Sequence, residues 1–83
     1  MHKILIVEDD KGVAQGIADF LETWDLQTAC VQDFSAVLAE FARFDPHLVL
    51  MDISLPYKNG FYWCQEIRKA SKVPVIFISS ASD

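Results

Sequence analysis

The chain has 83 residues, of which 52% are hydrophobic, and it carries a net charge of −5. That leaves room for one domain at most, short beside the roughly 100–150 residues common for a domain, and too apolar to be disordered. The acidic balance, with no basic cluster, argues against direct binding to nucleic acid or an anionic membrane and suits a cation or a basic protein face.

In chain order, the apolar run Ile4, Leu5, Ile6 and Val7 predicts a first strand that ends in Glu8, Asp9 and Asp10. This run is too short for a signal peptide, and no stretch approaches the ~20 apolar residues of a membrane span. Asp10 or Asp9 then caps a helix over residues 11–24, whose expected apolar face is Val13, Ile17, Phe20, Leu21 and Trp24. Gly12 and Gly16 each weaken that helix by about 1 kcal/mol relative to Ala, and are expected to let it lie close to the sheet.

Residues 26–31 are mixed and partly polar, as an edge strand would be. A second helix is expected over residues 35–44, capped by Ser35 or Asp33 and buried through Val37, Leu38 and Phe41. Asp45 and Pro46 end it. The central strand follows over residues 47–52, a continuous apolar run into Asp52, and Pro56 closes the loop behind it. Asn59 and Gly60 mark a turn into a third helix over residues 61–71, with Phe61, Cys64 and Ile67 as its apolar positions. Val73 and Pro74 lead into a fourth strand over residues 75–78, which ends in Ser79 and Ser80. Cys30 and Cys64 form no CxxC pair and read as reduced, buried thiols of a cytoplasmic protein.

The order β-α-β-α-β-α-β implies an α/β fold, a doubly wound parallel sheet with helices on both faces. In such a sheet all C-terminal strand ends share one edge, where ligands gather. Glu8, Asp9, Asp52 and Ser79 therefore converge. Crowded carboxylates repel unless a hard cation joins them, and oxygen donors favour Mg²⁺ or Ca²⁺ over Zn²⁺. With too few ligands for a Ca²⁺ cage, Mg²⁺ shared with a phosphoryl group fits better. A carboxylate at such a metal can be a nucleophile that yields an aspartyl phosphate, with Ser79 as a hydroxyl partner to a phosphoryl oxygen. His47 lies about 17 Å before Asp52 along the strand, at the wrong end for catalysis. The aromatic residues, Trp24 and Trp63 among them, read as packing rather than as a cofactor box.

The segments Ile4 to Asp10, Leu48 to Asp52 with Pro56 and Gly60, and Val73 to Ser80 together resemble the receiver domain of two-component response regulators. The resemblance implies a flavodoxin-like receiver fold with Asp52 as phosphoacceptor. It implies that Asp9 touches Mg²⁺ directly, that Glu8 does so through water, and that the Ser54 carbonyl is a further ligand. Asp10 is then a helix cap, Ser79 the switch hydroxyl, and Ser80 a small neighbour that leaves room for the phosphoryl group. The implied partner is a sensor histidine kinase, with DNA reached only through an output domain outside this chain.

Members of the family continue for a helix, a strand and a helix more, with a phosphoryl-binding lysine that neither Lys58 nor Lys72 matches. Residues 1–83 are therefore expected to be the N-terminal part of a single receiver domain, with an apolar edge strand at 75–78 that favours self-association. One alternative is a Mg²⁺-dependent hydrolase with an aspartyl nucleophile, which wants a second Asp where Ser54 stands. The other is a degenerate receiver that acts only as an interaction module.

Overall fold

The computed structural model describes residues 1–79 and holds seven elements. They are β1 (Lys3–Val7), α1 (Lys11–Glu22), β2 (Gln27–Cys30), α2 (Val37–Phe44), β3 (Leu48–Asp52), α3 (Gly60–Ala70) and β4 (Val75–Ile78). The strands form one parallel sheet in the order β2-β1-β3-β4. The alternation of strand and helix expected from the sequence is thus present, with β2 at one edge and β4 at the other.

Two apolar layers hold the sheet. On one face, Leu5 and Val7 of β1 and Val49 and Met51 of β3 pack with Val37 and Phe41 of α2 and Trp63 and Ile67 of α3. On the other, Ile6 packs with Ala14 and Ala18 of α1, flanked by Ile17, Leu21 and Leu50. The unbroken apolar run of β1 is buried on both faces, whereas β3 buries Val49 and Met51 on one face and leaves Leu48 and Leu50 half-buried on the other.

The structure corrects part of the expected face of α1: Ile17 and Leu21 pack inward as expected, but Val13, Phe20 and Trp24 do not. Ala14 and Ala18 are its buried residues, whereas Val13 is exposed, Phe20 is 62% exposed and Trp24 is 69% exposed. Small side chains bring this helix close to the strands, so the closeness comes from alanines and not from the glycines. A Cβ on Gly16 would meet nothing within 4 Å. The helix also stops at Glu22, and Trp24 falls in the turn that follows, which Asp25 closes with a left-handed φ of 64°. Asp10 is the N-cap, its carboxylate accepting from the Val13 N–H at 3.1 Å.

Helix α2 starts later than expected, at Val37, and its N-cap Ala36 makes no side-chain bond. Asp33 instead closes the preceding turn, accepting from the Ser35 N–H and hydroxyl, which hold its carboxyl below the usual carboxylate range. The buried stripe of Val37 and Phe41, with Leu38 beside it, is as the spacing predicts. Asn59 caps α3 by accepting from the Tyr62 N–H at 2.9 Å. The inward residues of α3 are Trp63 and Ile67, while Phe61 is exposed and rests on Phe77 of β4 at 4.9 Å between ring centroids. Cys64 is half-buried.

Candidate metal centre

The winding reverses between β1 and β3: the chain leaves β1 for β2 on one side and returns across it to β3 on the other. In doubly wound sheets that reversal opens the ligand crevice. Val7 pairs with Met51, so the next residues along, Glu8 and Asp52, emerge side by side at this point. Glu8 is 2% exposed and Asp52 1%, while Asp9 faces solvent. One carboxylate oxygen from each of the three lies within 4.8 Å of the others.

Burial and crowding act together on these acids. Burial, reinforced by the charges of Asp52 and Asp9, raises the Glu8 carboxyl above the usual range, and the Asp10 N–H donated to its Oε2 at 3.0 Å only partly opposes this. Its other oxygen, Oε1, is buried and has no hydrogen-bond partner among the described residues. An orphaned buried carboxylate oxygen is costly, and a hard cation would satisfy it. The donor set is all oxygen, which fits Mg²⁺.

The loop after β3 is shaped for the same spot. The Ser54 N–H approaches Asp52 Oδ1 at 3.4 Å, which holds the start of the loop against that carboxylate. Gly60 is required here. A Cβ at this position would stand 2.2 Å from the Asp52 carbonyl oxygen and 2.9 Å from Met51 Cγ, and the Gly60 N–H donates to Ile53 O at 2.9 Å. Sequence reasoning read Gly60 as a turn signal and missed that its missing side chain lets α3 start against the back of Asp52. Ser79 follows Ile78, the β4 partner of Asp52, and so sits at the neighbouring strand tip. Ser80 lies outside the described residues.

Other candidates are elsewhere. The Lys58 ammonium lies over the Tyr62 ring, 5.2 Å from its centroid. His47 is at the opposite end of β3, where its Nδ1 accepts from the Lys3 N–H at 2.8 Å. Lys11, Ala14 and Gln15 line a cavity beside Glu8 and Asp9, together with Gln32 and Phe34 of the β2–α2 loop. That loop is held by Glu40, whose carboxylate accepts from the Gln32 and Asp33 N–H groups at 2.7–3.2 Å. Nothing in the sequence marked Glu40 for this role, because an acid on a helix reads as solvated.

Comparison with known proteins agrees with this arrangement. Residues 4–83 match the family described as the response regulator receiver domain. The chain is similar to the response regulator protein GraR of Staphylococcus aureus, 44% identical over 78 residues, which are 94% of this chain and 35% of that protein. It superposes on the N-terminal domain of the nisin resistance regulator NsrR with a TM-score of 0.89 and 46% identity, over 100% of this chain and 70% of that one. TrrA of Thermotoga maritima, solved with Mg²⁺ and BeF, matches with a TM-score of 0.88 and 25% identity over 99% of this chain and 72% of its own. TrrA is also solved in complex with the histidine kinase ThkA. The parallel sheet, the acids gathered at its switch point and the match across nearly the whole sequence lead to one statement: this chain belongs to the response regulator receiver domain family.

Proposed function

We propose that Asp52 accepts a phosphoryl group from a phosphohistidine on a sensor histidine kinase, in a Mg²⁺-dependent reaction that switches the domain between two conformations. The observation that carries this reading is the meeting of Glu8, Asp9 and Asp52 within 4.8 Å, with a buried and unpartnered oxygen on Glu8. The similarity to TrrA, solved both with Mg²⁺ and BeF and with its kinase, supports it.

Glu8, Asp9, Asp52 and the Ser54 carbonyl would hold the cation. When bound, Mg²⁺ offsets charge as the anionic phosphoryl group approaches the carboxylate. An Asp52 oxygen forms the new bond to phosphorus while the bond from phosphorus to the imidazole nitrogen breaks, and the imidazole takes up a proton. The Ser79 hydroxyl donates to a phosphoryl oxygen and so couples β4 to the state of Asp52. Ser54 carries no carboxylate that could act as the proton carrier of a hydrolase, so the chain works as a switch and not as a turnover enzyme.

The chain spans 35% of the length of the GraR sequence it matches, so the role of the whole protein is itself a proposal. We read residues 1–83 as the N-terminal part of a single receiver domain that governs a DNA-binding output domain in the cytoplasm. No helix among the described residues is long and apolar enough to cross a membrane.

The test is labelling by a small phosphodonor in Mg²⁺. Asp52→Asn should abolish the hydroxylamine-sensitive label, and Asp9→Ala should weaken Mg²⁺ binding severalfold or more. Label retained in Asp52→Asn, or Mg²⁺ affinity unchanged in Asp9→Ala, overturns the assignment.

A further inference from the structure

Helix α1 carries large apolar side chains that the core does not use. Ala14 and Ala18 face the sheet, while Phe20 and Trp24 stand largely exposed at the end of the helix away from the acids. The two lie one turn apart, and neither ring stacks on another ring of the described residues.

The charges around them are unfavourable in the free chain as well. The C-terminal end of a helix is its negative pole and favours cations. Helix α2 ends with Arg43 and α3 with Arg68 and Lys69, but the last turn of α1 has no base. It has acids instead. Asp19 precedes Phe20, Glu22 lies between the two aromatics, Asp25 follows Trp24, and all three are exposed. The Asp19 and Glu22 carboxylates accept from neutral donors, the Gln15 amide at 2.8 Å and the Thr28 hydroxyl at 2.6 Å. Among the described residues, no basic side chain pairs with any of the three.

Both features select the same partner. The acids repel nucleic acid and anionic membrane, and a second copy of this surface would meet them with its own acids. Lys and Arg complement both the carboxylates and the negative pole of the helix. Two aromatics one turn apart match the ridge of a packed helix whose apolar residues recur at i and i+4.

We propose that the C-terminal half of α1 docks a basic amphipathic helix of another protein, its apolar residues on Phe20 and Trp24 and its Lys or Arg side chains on Asp19, Glu22 and Asp25. At about 1.5 Å of rise per residue, Trp24 lies roughly 20 Å from the Asp10 cap. The surface is therefore separate from the acidic cluster and does not rest on the phosphoacceptor reading.

The test is a titration of the isotope-labelled chain with a peptide of about 15 Leu and Lys residues, its leucines at i, i+3, i+4 and i+7. Saturable amide shifts centred on residues 19–25 are expected, with a blue shift of the emission of Trp24, the exposed one of the two tryptophans. The same peptide with Glu in place of Lys should bind at least about tenfold more weakly. The double variant Phe20→Ser, Trp24→Ser should also lose about tenfold. Asp19→Asn with Asp25→Asn, which keeps a residue suited to the left-handed conformation at position 25, should lose severalfold and flatten the salt dependence. Thermal melts no lower than wild type confirm that the variants are folded. Absence of binding, equal binding of the Glu peptide, shifts centred on Glu8 and Asp9 or on Ile76 and Phe77, or full affinity in either double variant overturns the proposal.

Discussion

Glu8 shows how one side chain can be set against the stability of its own fold. Burial and the neighbouring carboxylates raise its carboxyl, so the folded chain holds this proton more tightly than the unfolded chain does. The sign follows: as pH rises from the ordinary Glu range near 4.3 through the raised folded value, the contribution of Glu8 falls. Glu8→Gln should therefore melt higher than wild type at neutral pH without Mg²⁺, and the gap should close as the solution is acidified. The same variant should gain less from added Mg²⁺. Thermal melts of both proteins between mildly acidic and neutral pH check this, and a variant that melts lower throughout would contradict it. The acids themselves were legible in the sequence, because Glu8 and Asp52 each sit immediately after an apolar run and Asp9 follows Glu8. The clearance at Gly60 was not, since it depends on a carbonyl eight positions earlier that only the folded loop brings within reach.

Among the elements, strand positions were more legible than helix faces. An unbroken apolar run points to a strand covered on both sides; β1 is so covered, and β3 is buried on one face and half-buried on the other. The face of α1 was right at Ile17 and Leu21 but misjudged at Val13, Phe20 and Trp24, because large apolar side chains outweigh alanine in any count of hydrophobicity, while close packing against a sheet favours the small one. The corrected face has a measurable consequence. Ala18→Leu should force the helix off the sheet and destabilise by about 1–3 kcal/mol, whereas Trp24→Ser, on the exposed turn, should stay within about 0.5 kcal/mol. Denaturant midpoints of the two variants separate the cases, and equal losses would restore the original face. The start of α2 was misplaced for another reason. Asp33 and Ser35 are good caps by composition, yet they bond to each other and make the turn before the helix.

For the molecule as a whole, the sheet order follows from the alternation of strands and helices, but its two edges differ in character. The β2 edge is partly polar, as Gln27 and Thr28 foretell, and β4 presents Ile76 at 50% exposure and Phe77 at 38%. An apolar edge of this kind pairs readily with another strand. The 83-residue chain is accordingly expected to self-associate at high concentration, and a stable monomer in light scattering would refute that. A different consequence comes from the place where the winding reverses. The three acids project from the tips of the two middle strands, so their repulsion works along the seam joining the β1–β2 half to the β3–β4 half. A divalent ion lodged there would act as a rivet through that seam. By mass action it would add about 2.7 kcal/mol when present at a hundred times its dissociation constant. The temperature at which the protein comes apart would then serve as a gauge of free magnesium.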